Sequence, residues 1–89
     1  MRLLRRTAQF KCDVERQIKR GKKLDLLKTV VTLLIEGNEL SKNYSDHPLA
    51  GGYRGTRECH LDPDWLLIYE ITYDEVILIR TGTHADLFE

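Results

Sequence analysis

Three histidines are the residues of this chain best suited to chemistry, and all three lie in its second half. We expect His47, His60 and His84 each at a strand end or in a loop. Imidazole is the side chain best matched to proton transfer near neutral pH. Histidines at such positions can converge on one cleft, where the carboxylate of Asp64 and the guanidinium of Arg80 are also available. This combination of side chains is suited to the cleavage of a phosphodiester bond.

Each of these candidates also has an ordinary structural explanation. His47 can be a loop residue, and His60 can be a surface residue of a strand. Asp64 suits the turn in which it lies, because aspartate favours such positions. Arg80 can pair with Glu58 or Glu70 of a neighbouring strand, which would be a modest surface effect.

A metal site is the chemical alternative to acid–base catalysis. His60, Asp62 and Asp64, together with His84 or His47, offer nitrogen and oxygen ligands that suit zinc or manganese. No dedicated ligand spacing such as HExxH accompanies them. We therefore expect a site without a metal or any other cofactor.

Length and composition indicate one small globular domain, residues 1–89. The 89 residues are 42% hydrophobic, which is ordinary for a folded chain. No apolar run approaches the ~18 residues that cross a bilayer, and the basic start lacks the apolar stretch of a signal peptide. Cys12 and Cys59 match no metal-ligand spacing. We expect them to be reduced thiols in a cytoplasmic protein, with a disulfide as the alternative.

The net charge of zero conceals a strong asymmetry along the chain. Residues 1–30 contain ten Lys or Arg and three acidic residues, a balance of +7, whereas residues 31–89 carry −7. A basic first part fits contact with a polyanion, which would depend on salt. A solvated face of a helix is an equally good explanation.

The first part of the chain predicts a short strand and two helices. The strand spans residues 3–6, and Thr7 is a suitable N-cap for a helix from residue 8 to about 20. A second helix is predicted from about residue 24 to 36. The apolar stripes of the two helices are Phe10, Val14 and Ile18 in the first, and Leu27, Val30, Val31 and Leu34 in the second.

The second part changes to the two-residue period of strands. After a polar loop at residues 39–48, an alternating strand is predicted at 53–61 and a fully apolar central strand at 65–72. A third strand follows at 76–81, and residues 84–88 form a short tail or a single helical turn. The short spacing between the three strands predicts an antiparallel meander.

The predicted element order is therefore β-α-α-β-β-β, in the α+β class, with a helical hairpin packed on one face of a small antiparallel sheet. The other face of this sheet would carry Arg54, Thr56 and His60. It would be free to form a site, and Arg54 is accordingly a candidate substrate-binding residue.

Four segments of the second part form a longer pattern with matched spacing. They are residues 46–49 (DHPL), 52–58 (GYRGTRE), 59–69 (CHLDPDWLLIY) and 80–88 (RTGTHADLF). With these segments the chain resembles the YafQ branch of the RelE/ParE toxin superfamily. The resemblance extends over the whole chain in length and element order, and it is specific in residues 46–88.

The resemblance implies a RelE/ParE-like, microbial-RNase-like fold and a toxin of a type II toxin–antitoxin system. Such a toxin enters the ribosomal A site and cleaves mRNA there without a metal, which inhibits translation. A cognate antitoxin would neutralise it, and the complex of the two would bind operator DNA. No membrane contact is implied.

The resemblance also assigns residues to roles. His47, His60, Asp64 and His84 match the acid–base and substrate positions of the family. Arg80 matches its phosphate-facing arginine. Phe88 matches the C-terminal aromatic residue that engages a base, while Trp65 lies in the motif and is expected to be structural.

Two rival functions remain open. The same superfamily fold serves ParE-like toxins that are not enzymes and bind DNA gyrase. A degenerate toxin that acts only in an operon-repressor complex is the second rival. The presence of the histidine set argues against the first, because a binding protein would not need it.

Overall fold

The computed structural model describes residues 1–88 and places a five-stranded sheet, in the order β1-β5-β4-β3-β2, at the centre of the fold. The strands are β1 (Leu3–Arg6), β2 (His47–Pro48), β3 (Arg57–Asp62), β4 (Trp65–Ile71) and β5 (Glu75–Gly82). The helices are α1 (Ala8–Lys19), α2 (Leu24–Ile35) and α3 (His84–Phe88), and 3-10 turns lie at Lys42–Tyr44 and Gly51–Tyr53. The predicted α+β class is confirmed, and α3 is the helical turn expected in the tail.

The two long helices begin and end close to the positions that their sequence signals predict. Thr7 caps α1, because its hydroxyl accepts a hydrogen bond of 3.0 Å from the backbone N–H of Phe10. Gly21 follows α1 with a φ of +87°, a conformation that favours glycine. No helix within residues 1–88 is long and apolar enough to cross a membrane.

The buried face of α1 is more polar than its predicted stripe of Phe10, Val14 and Ile18. Phe10 is buried, but Ile18 is 51% exposed, so the prediction is wrong at this position. Asp13 and Gln17 take the inward positions instead. They can do so because both form hydrogen bonds with the C-terminal part of the chain.

The apolar core forms two layers, one on each face of the sheet. The larger layer packs the sheet against the predicted α2 stripe and includes Trp65 and Leu67. The smaller layer, on the opposite face, contains Leu66, Ile68 and Leu87. β4 is therefore covered on both faces, as its continuous apolar run predicts.

Three details of the predicted sheet are wrong. The sheet is mixed, because β1 pairs in parallel with β5, a neighbour reached by a long connection and not by a tight turn. The predicted loop at residues 39–48 contains β2, in which His47 pairs with Glu58. The strand predicted from residue 53 begins only at Arg57, because residues 51–53 form a 3-10 turn and Gly55 adopts a φ of +89°.

Candidate active site

A single row of paired residues crosses four strands on the sheet face that the long helices leave open. His47 of β2 pairs with Glu58 of β3, Glu58 pairs with Ile68 of β4, and Ile68 pairs with Arg80 of β5. Because neighbouring strands lie about 4.8 Å apart, this register brings the Cα atoms of Glu58 and Arg80 within about 10 Å of each other. Ile68, from the smaller apolar layer, forms the floor between them.

Glu58 is the centre of one half of this site. Its Oε1 lies 3.5 Å from Nε2 of His47 and 3.7 Å from Nε2 of His60. The carboxylate is only 8% exposed, whereas the two imidazoles are 49% and 36% exposed. A buried carboxylate between two accessible imidazoles can accept a hydrogen bond from either ring and so orient both of them.

Glu58 was not among the candidates that the sequence predicts, although a signal for it is present. The alternation of β3 places Glu58 and His60 on the same face, two residues apart. From the sequence, Glu58 is expected only as a possible partner for Arg80. The structure pairs Arg80 with Asp13 instead, so that structural alternative is wrong.

His47 is held in its orientation by the segment that precedes it. Its Nδ1 donates to the backbone carbonyl of Ser45 at 2.7 Å, which turns Nε2 toward Glu58. The neighbouring Asp46 accepts two hydrogen bonds from Arg57, one from Nε at 3.2 Å and one from Nη2 at 3.1 Å. This bidentate pair fixes the short β2 segment beside the sheet.

Tyr69 also helps to hold the short β2 segment in place. Its hydroxyl donates to Asp46 from the face of β4 that points to the larger core layer. Burial raises the pKa of Tyr69, and the hydrogen bond to Asp46 raises it further. Tyr69 therefore stays a neutral donor over the physiological pH range.

The other half of the site is the aromatic group at α3. The ring of His84 lies 5.0 Å from the ring of Phe88, which in turn meets Tyr53 edge-to-face at 5.8 Å. Phe88 is 38% exposed, while the adjacent Leu87 is buried in the smaller apolar layer. Leu87 thus anchors a five-residue helix that presents His84 and Phe88 at the surface.

Asp86 fixes α3 to the rest of the fold. It accepts a bond of 2.9 Å from the backbone N–H of Thr83, and its own N–H donates to the Thr83 hydroxyl at 3.1 Å, which forms a capping box. It also forms a bidentate ion pair with Arg20, just beyond the end of α1. The hydrogen bond from Arg20 is the main reason that the pKa of Asp86 lies well below its usual range.

Arg80 lies between the two halves, but most of its guanidinium faces α1. Its Nε and Nη2 donate to the two carboxylate oxygens of Asp13, both at 3.0 Å. A bulge causes this placement, because Ile79 and Arg80 together oppose one residue of β4. The hydrogen bonds to Asp13 raise the pKa of Arg80, so the guanidinium stays charged, with Nη1 unused by Asp13.

The structure does not bring the remaining candidates into contact with the histidines. Asp64 lies at the tip of the β3–β4 turn, where its charge acts on Arg20 and its N–H donates to Asp62 at 2.9 Å. Arg54 is exposed in the irregular segment before β3 and not on a strand as predicted. Trp65 is 1% exposed in the core, which confirms its expected structural role.

The ligand set considered for a metal is also not assembled. Asp62 pairs with Lys22 at 3.4 Å, away from the His47–Glu58 pair. Within residues 1–88 no group of three or more His, Cys, Asp and Glu side chains is placed to hold a metal ion.

Comparison with known proteins gives one consistent family. Residues 2–89 match the family described as "Bacterial toxin of type II toxin-antitoxin system, YafQ". The mRNA interferase toxin YafQ of Escherichia coli strain K12 is 45% identical over 83 residues, which cover 92% of this chain and 90% of that protein.

Solved structures agree with this match over the full length. The YafQ chain in the crystal structure of the E. coli DinJ–YafQ complex superposes with a TM-score of 0.93 at 42% identity, and both chains are covered completely. A metal-bound toxin from Helicobacter pylori superposes with a TM-score of 0.91 at 40% identity, covering 99% of this chain and 100% of that one.

Proposed function

Because the chain belongs to the YafQ family of type II toxins, we propose that it is an mRNA interferase, an endoribonuclease that cuts mRNA in the ribosomal A site and stops translation. The observation that carries this proposal is the row of strand pairings that places His47, Glu58 and Arg80 side by side across the sheet, with His47 and Glu58 in contact on the face that the long helices leave open. His60 and His84 flank that row. A purely binding protein has no need for such a set of proton-transfer groups.

The proposed reaction uses the substrate's own nucleophile. The ribose 2′-OH attacks the adjacent phosphorus, a base removes its proton, and an acid protonates the departing 5′-oxygen. The P–O5′ bond breaks as the P–O2′ bond forms, which leaves a 2′,3′-cyclic phosphate and a 5′-hydroxyl. A cation must stabilise the charge that develops on the phosphoryl oxygens.

The two halves of the site supply these parts. His60, with Glu58 behind it, and His84 on α3 form the acid–base pair, in either order. His47 contacts phosphate or shapes the site from β2. Arg80 stabilises the phosphoryl charge through Nη1, the donor that Asp13 leaves free.

Three candidates act around this centre. Phe88 is 38% exposed beside His84 and can stack on a base of the mRNA, a contact worth about 1–3 kcal/mol. Arg54 and Asp64 lie at the surface, and neither contacts a histidine. We therefore assign them to substrate contact and not to proton transfer.

The proposed mechanism needs no metal, and this point has its own test. Cleavage in EDTA is expected to proceed at the untreated rate. Loss of cleavage in EDTA, with recovery on addition of zinc or manganese, would support a metal mechanism instead. The test is relevant because the similar toxin from H. pylori is described as metal-bound.

We further propose that the cognate antitoxin binds the helical side of the molecule. A groove of about 510 Å³ lies between β1, α1 and α2, with apolar walls that include Leu4 and Val31. Arg6, Lys11 and Lys28 add positive charge to it. An acidic, amphipathic antitoxin segment fits this chemistry, and E. coli YafQ forms a complex with DinJ. Operator DNA would be bound only through the antitoxin complex.

Charge reversal tests this surface separately from catalysis. Lys28→Glu is expected to weaken antitoxin binding about ten-fold while leaving mRNA cleavage unchanged. If Lys28→Glu instead slowed cleavage on ribosomes and left antitoxin affinity intact, the basic side would be a ribosomal RNA contact.

The decisive experiment compares wild type and His84→Ala on end-labelled mRNA, with and without programmed ribosomes. We expect A-site cutting that needs ribosomes and falls by about 10²–10⁴ in the variant. Tyr73→Ala, at a fully exposed residue of the β4–β5 turn, is the control that should cut normally. Intact mRNA under conditions where the wild type still arrests growth would favour the gyrase-binding rival.

A further inference from the structure

A cavity of about 420 Å³ opens beside His60, at the edge of β3 beyond the two residues of β2. Its walls include Asn43, Tyr44 and Ser45 of the preceding 3-10 segment, and Asp62 at the end of β3. We name it the His60 cavity. We propose that it is the subsite for one nucleobase next to the cleaved phosphate, and that Asn43 reads this base. The inference rests on the proposed function and adds a specificity determinant to it.

The His60 cavity shares a wall with the candidate active site. The imidazole of His60 lines the cavity while its Nε2 lies 3.7 Å from Glu58. The same 3-10 segment provides the Ser45 carbonyl that orients His47. A molecule bound in the cavity would therefore contact His60 and also the 3-10 segment that orients His47.

The charges of the residues that line the His60 cavity favour a nucleobase over a phosphate group as its occupant. Among the described residues 1–88, no lysine or arginine lines the cavity, and the one carboxylate that does, Asp62, pairs with Lys22 at 3.4 Å. A phosphate would meet a carboxylate that already engages Lys22, whereas a neutral, flat ring with N–H and C=O edges suits amide and phenol groups. The volume is also within the ~300–1,000 Å³ of typical small-ligand sites.

Asn43 is the residue able to discriminate between bases. Its side chain is exposed and makes no hydrogen bond to any other residue of the described range 1–88. An amide offers two donors and an acceptor, so it can form a bidentate contact with a base edge. Tyr44 beside it is half-buried and packs on the core, which gives the cavity a rigid aromatic wall.

The backbone at Ser45 is consistent with a functional constraint on this segment. Ser45 adopts a φ of +48°, a left-handed conformation that is uncommon for a residue with a side chain. Such conformations cost energy and cluster at ligand sites. Here the bend at Ser45 lets one short segment line the cavity and bond His47.

The test compares cleavage of mRNAs in which the base on each side of the mapped cut is changed to each of the four bases. Asn43→Ala is expected to raise KM about ten-fold for the preferred base and to reduce the discrimination among bases to about two-fold. Asn38→Ala, at another exposed asparagine outside the cavity, is the matched control and should keep the wild-type preference. An Asn43→Ala variant with wild-type discrimination would overturn the inference.

A second measurement separates this inference from the proposed function. Short oligonucleotides with a 2′-deoxy nucleotide at the cut are added to ¹⁵N-labelled wild-type protein. We expect the side-chain amide signal of Asn43 to shift, with the size of the shift depending on the base. If the wild type cuts no mRNA but this signal still shifts with the base, the catalytic proposal fails, and the cavity binds a base without serving cleavage. If mRNA is cut and the signal does not move, the subsite fails alone.

Discussion

Replacing Asp13 by asparagine tests whether a buried carboxylate holds Arg80 in place. Asp13 is 2% exposed and accepts two bonds of 3.0 Å from Arg80 and one of 3.2 Å from the backbone N–H of Thr81. Burial alone would raise the pKa of this carboxyl, but the bonds from Arg80, Gln9 and Thr81 outweigh it and leave the pKa lowered. Asparagine keeps the shape, removes the charge and retains one acceptor.

The structure sets the size of the expected effect. Breaking a buried ion pair by removing one partner costs about 3–5 kcal/mol when the remaining charge stays buried. The Arg80 side chain is 23% exposed and can recover part of its hydration. We therefore expect Asp13→Asn to lower the free energy of unfolding by about 2–3 kcal/mol. Glu15→Gln, at an exposed acid of the same helix, should stay within about 0.5 kcal/mol of wild type.

Urea denaturation of a double-mutant cycle measures the pair itself. Asp13→Asn, Arg80→Gln and the double variant should give a coupling of at least about 1 kcal/mol, because each group loses its partner in either single variant. Cleavage by Asp13→Asn should also fall, since Arg80 is then free to leave the site. Equal urea midpoints for Asp13→Asn and Glu15→Gln, together with zero coupling between Asp13 and Arg80, would refute the view that Asp13 holds Arg80 in place.

Three further predictions concern the C-terminal helix and the thiols. Gly82→Ala should lower Tm by several degrees, because a Cβ there would lie 2.8 Å from Oδ2 of Asp86, whereas Gly52→Ala has open space and should leave Tm unchanged. The hydrogen bonds from Arg20 lower the pKa of Asp86, so the contribution of Asp86 to stability exists above the ordinary carboxyl pKa and is lost as the pH falls below it. Acid titration of Asp86→Asn should accordingly show a shallower loss of stability below about pH 4 than wild type. A thiol reagent should label only Cys12 in the folded protein and both cysteines in urea, since burial raises the pKa of Cys59 to about 12.

Local patterns were sufficient to predict most of the elements. The cap at Thr7 and the apolar spacing of α2 depend on residues a few positions apart, and both are confirmed. β4 was predicted from its continuous apolar run. The sequence does not predict β2, because a two-residue strand has no periodic pattern of its own and is defined only by its pairing with β3.

The failures at the site have a different physical origin. The regular apolar spacing of Phe10, Val14 and Ile18 in α1 predicts that Ile18 lies in the core. The inward face is instead occupied by Asp13, whose partner Arg80 is 67 positions away. Such a pair depends on how α1 lies against β5, which no local pattern contains. The family resemblance selects His47 and Arg80. The alternation of β3 places Glu58 on the face of His60, but its position beside His47 depends on the pairing of β2 with β3, which no local pattern contains.

Three aspartate–arginine pairs hold the parts of the proposed site together, and each is bidentate. Asp13 binds Arg80 itself, Asp46 binds Arg57 below the segment of His47, and Asp86 binds Arg20 below the helix that carries His84 and Phe88. The three carboxylates are Asp13, Asp46 and Asp86, and their side chains are 2%, 22% and 12% exposed. Each pair joins an element of the site to a different part of the fold, because His47 lies on a two-residue strand and His84 on a five-residue helix, and both elements are too short to hold a fixed position alone. The geometry of the proposed site thus depends on ion pairs whose carboxylates are largely buried behind it.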